Sequence, residues 1–339
     1  SDGSFIKVPP TYSIITNIDR EHMDFYKSID RLKELFTSFI KKVPSFGKSF
    51  ICLDNKNNND VIKKLKIKNF FTYGTNPKSQ FQIRNINQSR NFSEFSLTIR
   101  LPGKNKTDIK NIKIPLLGLH NIRNASAAAA VATTIGISKE TIKHGLKEFK
   151  GVQRRFNKIF DYRESEFYDD YAHHPTEIQE VLNGVKEAYK KEEIICIFQP
   201  HRVSRLKDLK REFSLSFKKA DSVILCPIYS AGEKLKLGFN YSNFAKEIIK
   251  NSKVKVFMVK DKYRLAKFIK QNIYGKKIVI GMGAGSISSW ATRKRPLTIL
   301  NALPNWNPRT RKSRAILVMS TGYLGDMLRH VSNGGWRAA

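Results

Sequence analysis

Between about Glu166 and Trp290, short apolar runs alternate with amphipathic stretches, and this rhythm restricts the fold more than any other feature of the chain. Ile194 to Phe198 is an unbroken apolar run of strand length. Ahead of it Ile178, Val181, Leu182, Val185 and Tyr189 recur along one helical face, and behind it Leu206, Leu209, Phe213 and Phe217 do the same. Strands and helices in this alternation predict an α/β fold, with a mostly parallel sheet carrying helices on both faces. Ligands of such open sheets bind beyond the carboxyl ends of the strands.

Two strand-to-helix transitions therefore stand out, YDDYAHHPTE (Tyr168 to Glu177) and FQPHRVSR (Phe198 to Arg205). They bring together acidic groups, the imidazoles of His173, His174 and His201, and the guanidiniums of Arg202 and Arg205. Thr176 followed three residues later by Gln179 is a capping-box pattern. It puts His173 and His174 just ahead of a helix N-terminus, where unpaired backbone amides favour an anion. Surface arginines and satisfied structural imidazoles would be the alternative. Concentration of the whole set at two successive strand ends favours a crevice for an anionic substrate.

The first half of the chain is less regular. Ser13 to Ile18 is a candidate strand, and Asp19 to Tyr26 a polar loop holding Glu21, His22 and Asp24. Leu32, Leu35, Phe36, Phe39 and Ile40 mark an amphipathic helix, followed by a strand at Phe50 to Leu53. A lysine- and asparagine-rich region with short β-like pieces runs to about Pro115. The next stretch, GLHNIRNASAAAAVATTIGI, predicts a helix whose small residues permit close packing. Asn121 and Asn124 flank its start beside His120, either as caps or as amides offered to an adenine edge. A second helix, Thr141 to Phe149, leads into GVQRRF (Gly151 to Phe156), a domain junction. Arg154 and Arg155 there either clamp a phosphate or tie two domains together. The expected division is 1–151, 152–290 and 291–339, the last a basic, arginine-rich tail that is disordered or unrelated to the domains.

The formal charge of +33 invites a nucleic-acid reading. The lysines, however, are spread over the polar faces of every predicted helix, and no zinc-finger, RNP or KH signature accompanies them. No specific nucleic-acid partner is expected. Apolar runs are short and broken by lysine, so no membrane insertion is expected either. Cys52, Cys196 and Cys226 are isolated in or beside apolar runs and read as buried thiols of a reducing compartment, which makes a cytoplasmic location the expectation. Gly281 to Gly285 lacks the full dinucleotide spacing, and Gly74 to Ser79 has proline where a phosphate loop needs glycine. His22, with Glu21 and Asp24, is either polar surface or a contributor to a divalent-ion site.

Taken in order, SIITNIDREHMDFY, GLHNIRNASAAAA, GVQRRF, YDDYAHHPTE, FQPHRVSR and GAGSIS resemble the bacterial Mur ligases from Ser1 to about Trp290. The pairing of DYAHHP with FQPHR resembles the L-alanine-adding branch of that family. The resemblance implies part of a central ATP-binding domain followed by a Rossmann-like C-terminal domain. It implies that ATP phosphorylates the lactyl carboxylate of UDP-N-acetylmuramate and that the amine of L-alanine attacks the acyl phosphate, with Mg2+ bridging phosphates and substrate. On this basis His22 is a magnesium ligand, and His120 and Asn124 contact adenine. Arg155 and Asp170 orient ATP across the hinge between the domains. Tyr171, His173, His201, Arg202 and Arg205 form the pocket for L-alanine and the reacting end of the sugar nucleotide. Within that pocket His173, His201, Arg202 and Arg205 are the catalytic candidates, acting by positioning and charge stabilisation rather than as covalent nucleophiles.

The family's UDP-sugar domain and its GTHGKT-type phosphate loop have no counterpart in this sequence. The expectation is therefore an N-terminally truncated chain with little or no activity by itself. A non-catalytic nucleotide- or amino-acid-binding fragment is the alternative reading, and a basic nucleic-acid binder a more remote one.

Overall fold

The computed structural model describes residues 3–66, 69–233 and 239–292. The tail expected at 291–339 lies outside them, apart from its first two positions. The chain divides into two units, one running to Gly151 and one starting at Val152, each built on its own sheet.

In the first unit a 3-10 turn (Ser4–Lys7) precedes β1 (Tyr12–Ile15), α1 (Met23–Tyr26), α2 (Ile29–Lys41), β2 (Lys48–Cys52), α3 (Lys56–Lys64) and β3 (Phe70–Gly74). Then come β4 (Phe81–Gln88), β5 (Ser93–Ile99), β6 (Thr107–Ile114), α4 (Leu119–Thr134) and α5 (Lys139–Glu148). The strands lie side by side in sequence order, parallel from β1 to β4 and antiparallel from β4 to β6. The lysine- and asparagine-rich stretch is thus a full meander rather than short pieces. Bulges between Arg84 and Asn87 and between Phe95 and Leu97 break its two-residue period, which hides long strands from a pattern search.

Ser28 starts α2 by accepting the Arg31 N–H at 3.1 Å, and α2 then buries Leu32, Phe36, Phe39 and Ile40 against Phe5, Ile15 and Ile51. Each phenylalanine removed from water there contributes roughly 1.5–3 kcal/mol. The segment read as a polar loop at Asp19 to Tyr26 ends in the helical turn α1, because Tyr26 is drawn into the same core. On α4, Ala125 and Ala127 to Ala130 are fully buried, and their small side chains let the helix lie close against β2 to β5.

The second unit contains β7 (Asn157–Tyr162), β8 (Ser165–Asp170), α6 (Pro175–Ala188), β9 (Glu193–Phe198), α7 (Val203–Asp208) and α8 (Lys210–Ser214). It continues through β10 (Ser222–Leu225), α9 (Tyr241–Ser252), β11 (Lys255–Met258), α10 (Lys262–Asn272), β12 (Lys277–Met282) and α11 (Ile287–Thr292). The sheet order is β11-β10-β9-β12-β8-β7, all parallel except β7, which runs antiparallel to β8. β7 is absent from the sequence reading. Its hairpin turns through Arg163 and Glu164, both at positive φ, without the Asn-Gly signature that usually marks such a turn.

Two local expectations are corrected. The single helix expected across Leu206 to Phe217 is divided at Leu209 into α7 and α8, although Leu206, Leu209, Phe213 and Phe217 all remain buried. Helix α6 is capped by His174 and Glu177, not by Thr176 and Gln179. Pro175 takes the first helical position, where its fixed φ suits the helix and its missing N–H is not needed, so the helix starts earlier than the Thr-Gln pattern suggests.

Cys52, Cys196 and Cys226 are free and buried, and burial pushes the thiols of Cys52 and Cys226 up to about 12. Among the described residues no helix is long and apolar enough to cross a membrane.

Candidate functional site

In the second unit the chain leaves β8, β12 and β9 at the same sheet edge, because these neighbours are parallel. Asp170 is the last residue of β8. One of its carboxylate oxygens accepts the Ala172 N–H at 2.7 Å and the other the Phe156 N–H at 2.8 Å. The strand end is thereby fastened to the Arg154–Phe156 turn. Burial pushes the Asp170 carboxyl up to about 6, against the opposing pull of Arg155 and the two amides.

Tyr171 follows, and the Arg154 and Arg155 guanidiniums stand 4.7 and 5.9 Å from its ring centroid. Arg154 also donates from Nη2 to the Gly283 carbonyl at 2.6 Å and places Nε 3.4 Å from Asp169. That joins the ends of β8 and β12.

His173 is held from three sides. Its N–H donates to Glu177 Oε2 at 3.0 Å, and its Nδ1 lies 2.9 Å from the Tyr171 carbonyl and 3.2 Å from the same Glu177 oxygen. Glu177 also accepts the His174 N–H and faces Arg155 Nη1 at 3.7 Å. Burial works to raise this carboxyl, but His173 and Arg155 outweigh it and hold it well below the usual carboxylate range.

After β9, the Gln199 N–H donates to Met282 and a single parallel bridge joins His201 to Tyr229. The His201 ring stacks on Tyr229 with centroids 5.6 Å apart and meets the His173 ring edge-on at 5.7 Å. Arg205, one helical turn on, points Nη1 at His201 Nδ1 across 3.4 Å. Burial, then His173 and the two arginines, lower the His201 imidazole to about 4, so it is neutral at neutral pH.

Arg202 starts α7 at a positive φ of 66°, and its N–H donates to the Tyr229 carbonyl. Glu233 accepts the Val203 and Ser204 N–H groups at 2.8 and 3.2 Å and the Ser204 hydroxyl at 2.5 Å, and lies 3.7 Å from Arg202 Nε.

In the first unit, β1, β2 and β3 are parallel and end at one edge. His22 follows β1 at a positive φ of 56°, with Nε2 3.8 Å from Glu21. Asp54 follows β2. Its carboxylate accepts the Thr75 and Asn76 N–H groups, each at 3.0 Å, and Arg123 Nε at 2.8 Å. Arg123 sits on α4 between His120 and Asn124, so this ion pair fixes the helix start that carries both. Burial opposes ionisation of Asp54, but those donors outweigh it and lower its carboxyl. Asn121 is buried and donates to the Leu117 carbonyl, a helix-start role rather than a ligand contact.

The structure therefore gathers Tyr171, His173, His201 and Arg205 into one cluster, with Arg155, Asp170 and Arg202 in the turns that hold it. His120 and Asn124 share one helix, and His22 stands on a different loop. Among the described residues no group of three or more His, Cys, Asp or Glu is arranged to hold a metal ion. The residues near His22 thus do not fit a resident metal site by themselves.

Sequence reasoning missed Glu233, Tyr229 and Asp54, each of which works from a distant loop with no local pattern. Glu177 was within reach, as the acidic residue at the third helical position after His174-Pro175.

Two α/β units carry these strand-end motifs, and the chain belongs to the Mur ligase family. Residues 2–132 match the Mur ligase middle domain, and residues 154–285 match the Mur ligase glutamate ligase domain. Within the family, the chain is 73% identical over 290 residues to the UDP-N-acetylmuramate--L-alanine ligase of Pelagibacter ubique (strain HTCC1062), covering 86% of this chain and 62% of that protein. It is 38% identical to the enzyme of that name from Bartonella quintana (strain Toulouse), over 86% of this chain and 61% of that protein. The crystal structure of the UDP-N-acetylmuramate-alanine ligase from Thermotoga maritima superposes with a TM-score of 0.66 at 25% identity, over 86% of this chain and 60% of that one. A MurF ligase from the same organism, in complex with ADP, shares the fold at 15% identity with a TM-score of 0.65. The chain thus spans about three fifths of the length of the curated relatives it matches.

Proposed function

We infer that this chain serves in the ATP-dependent ligation of L-alanine to UDP-N-acetylmuramate, with residues 1–151 acting as central, nucleotide-handling domain and 152–290 as the amino-acid-handling C-terminal domain. The observation that carries the reading is the joint clustering of Tyr171, His173, His201 and Arg205 beyond the ends of β8 and β9, the two strands that flank β12, in a chain so close in sequence to L-alanine ligases.

Arg202 and Arg205 would hold carboxylate, as bidentate guanidiniums do. His201, kept neutral, would donate a hydrogen bond without adding charge. Arg155 and Asp170 would set the turn that meets ATP, and His120 and Asn124 would face adenine. ATP supplies the activated phosphoryl group. His22 is one candidate donor to Mg2+, an ion that draws most of its ligands from phosphate oxygens and water.

The test is phosphate release with ATP, magnesium, UDP-N-acetylmuramate and L-alanine, together with calorimetry of L-alanine binding. Binding or L-alanine-dependent release well above that of a His201→Ala, Arg202→Ala double variant supports the reading. Absence of both overturns it for this chain.

A further inference from the structure

Tyr229, in the loop after β10, is 41% exposed, yet its ring is closely held. It lies against the His201 imidazole with centroids 5.6 Å apart and planes 20° from parallel. It also lies against Gly285. A Cβ added to that glycine would stand 2.6 Å from Tyr229 Cγ and 2.7 Å from Tyr229 Cβ, closer than side chains approach, so the ring occupies space that only glycine leaves open. The same Cβ would stand 2.7 Å from Gln199 Oε1, which is itself engaged by the Ile287 N–H at 2.8 Å. His201 in turn meets His173 edge-on at 5.7 Å. Gly285, Tyr229, His201 and His173 thus form a row across the ends of the parallel strands β12, β10, β9 and β8.

The main chain of this loop is fastened separately from the ring. The Tyr229 N–H donates to the Pro200 carbonyl and the Arg202 N–H to the Tyr229 carbonyl, both at 2.8 Å. Any residue at 229 could make those bonds, and they leave the imidazole free to turn. The torsion that rotates a histidine ring about its last bond is broad, so backbone position alone does not set the ring plane. Arg205 Nη1, 3.4 Å from His201 Nδ1, fixes one point on the ring at the end of a long side chain. The flat face of Tyr229 supplies the second restraint, and a plane needs more than one point.

We propose that Tyr229 is a positioning residue of this site: its ring, seated on Gly285, holds the His201 imidazole in one plane. Tyr229 acts through His201 and not on a substrate. Its bearing on L-alanine rests on the amino-acid-pocket reading above, whereas its hold on His201 does not. The ring also covers part of the imidazole from water, and burial is the largest of the causes that keep His201 neutral. The charged and titratable groups facing His201 are His173, Arg205, Arg202 and Glu233, and all of them stay in place when only residue 229 is changed.

NMR of the histidine ring protons in the full chain reads the effect directly, with Tyr229→Ala removing the ring and Tyr229→Phe keeping it. The His201 ring protons should lose the Tyr229 ring-current shift in Tyr229→Ala, retain it in Tyr229→Phe, and move in Gly285→Ala, where the added methyl displaces the ring. The His201 midpoint, about 4 in the unsubstituted chain, should stay there in Tyr229→Phe and rise by about one pH unit or more in Tyr229→Ala as water reaches the imidazole. A tyrosine that only filled space would change melting temperature and leave these readings alone. His201 shifts and midpoint unmoved in Tyr229→Ala, Tyr229→Phe behaving as Tyr229→Ala does, or His201 shifts unmoved in Gly285→Ala each overturn the proposal. Calorimetry with L-alanine addresses the pocket reading separately. Binding should weaken about three- to tenfold in Tyr229→Ala, the cost of ordering on binding a side chain that was held beforehand, and be restored in Tyr229→Phe. Equal binding in Tyr229→Ala and the unsubstituted chain overturns the role of Tyr229 in the site. If the unsubstituted chain binds no L-alanine, the pocket reading fails and the His201 spectra alone decide the hold of Tyr229.

Discussion

Asp170 and His201 titrate in the same acid window with opposite consequences. Asp170 rises in the folded chain from 3.8 to about 6, so its contribution to stability is present below 3.8 and lost as pH rises through 6. His201 falls from 6.5 to about 4, so its contribution is present above 6.5 and lost as pH drops towards 4. Relative to the unsubstituted chain, a His201→Gln variant should therefore gain melting temperature between pH 6 and pH 4, and an Asp170→Asn variant should lose it. Thermal melts across that range check both signs. At neutral pH Asp170→Asn should cost about 1–3 kcal/mol in urea unfolding, because an amide offers one acceptor where two backbone N–H groups need one each. At this scale the sequence was informative about identity and silent about partnership. His173, His201 and Arg205 were legible from their strand-end positions, but Glu233, which accepts the Val203 and Ser204 N–H groups, and Tyr229, which accepts the Arg202 N–H and stacks on the His201 ring, lie in a loop after β10 that no spacing rule ties to FQPHR.

The strand ends and helix starts are set by backbone geometry as much as by side chains. Gly283 follows β12 with φ +148°, and a Cβ there would stand 2.6 Å from the Gln199 carbonyl oxygen, against backbone that has no room to move. Gly136, after α4, has φ +89° and open space around the same position. Gly283→Ala should therefore destabilise by about 1–3 kcal/mol or more in chemical denaturation, well beyond Gly136→Ala, which bears the conformational cost alone. Elements with an unbroken apolar period, such as β9 and α6, were readable within a few residues. The β4–β6 meander was not, because its bulges shift the buried face partway along each pair, and neither was β7, whose turn residues disguise the hairpin. The α6 cap was misread because Thr176 and Gln179 satisfy the pattern by residue type, while Pro175 decides the register.

At the scale of the whole chain, the charge of +33 is spread along the sequence and not confined to one motif. Such a charge attracts phosphate backbones without reading bases, and its effect decays with counterion concentration. Filter binding to unrelated DNA duplexes should give similar weak affinities that fall by orders of magnitude between about 50 and 200 mM salt. Sequence preference that survives the salt would contradict this.

The order of the strands has a further consequence, for the time at which each unit completes itself. In the first sheet every strand pairs with the one made just before it, so the sheet grows at its edge as the chain lengthens. The second sheet does not permit this. Its last strand, β12, is wedged between β8 and β9, and it begins nearly eighty residues after β9 ends. Until β12 enters, the ends of β8 and β9 are not neighbours of a common strand. The His173–His201 cluster is thus assembled in one late event, when the seam closes.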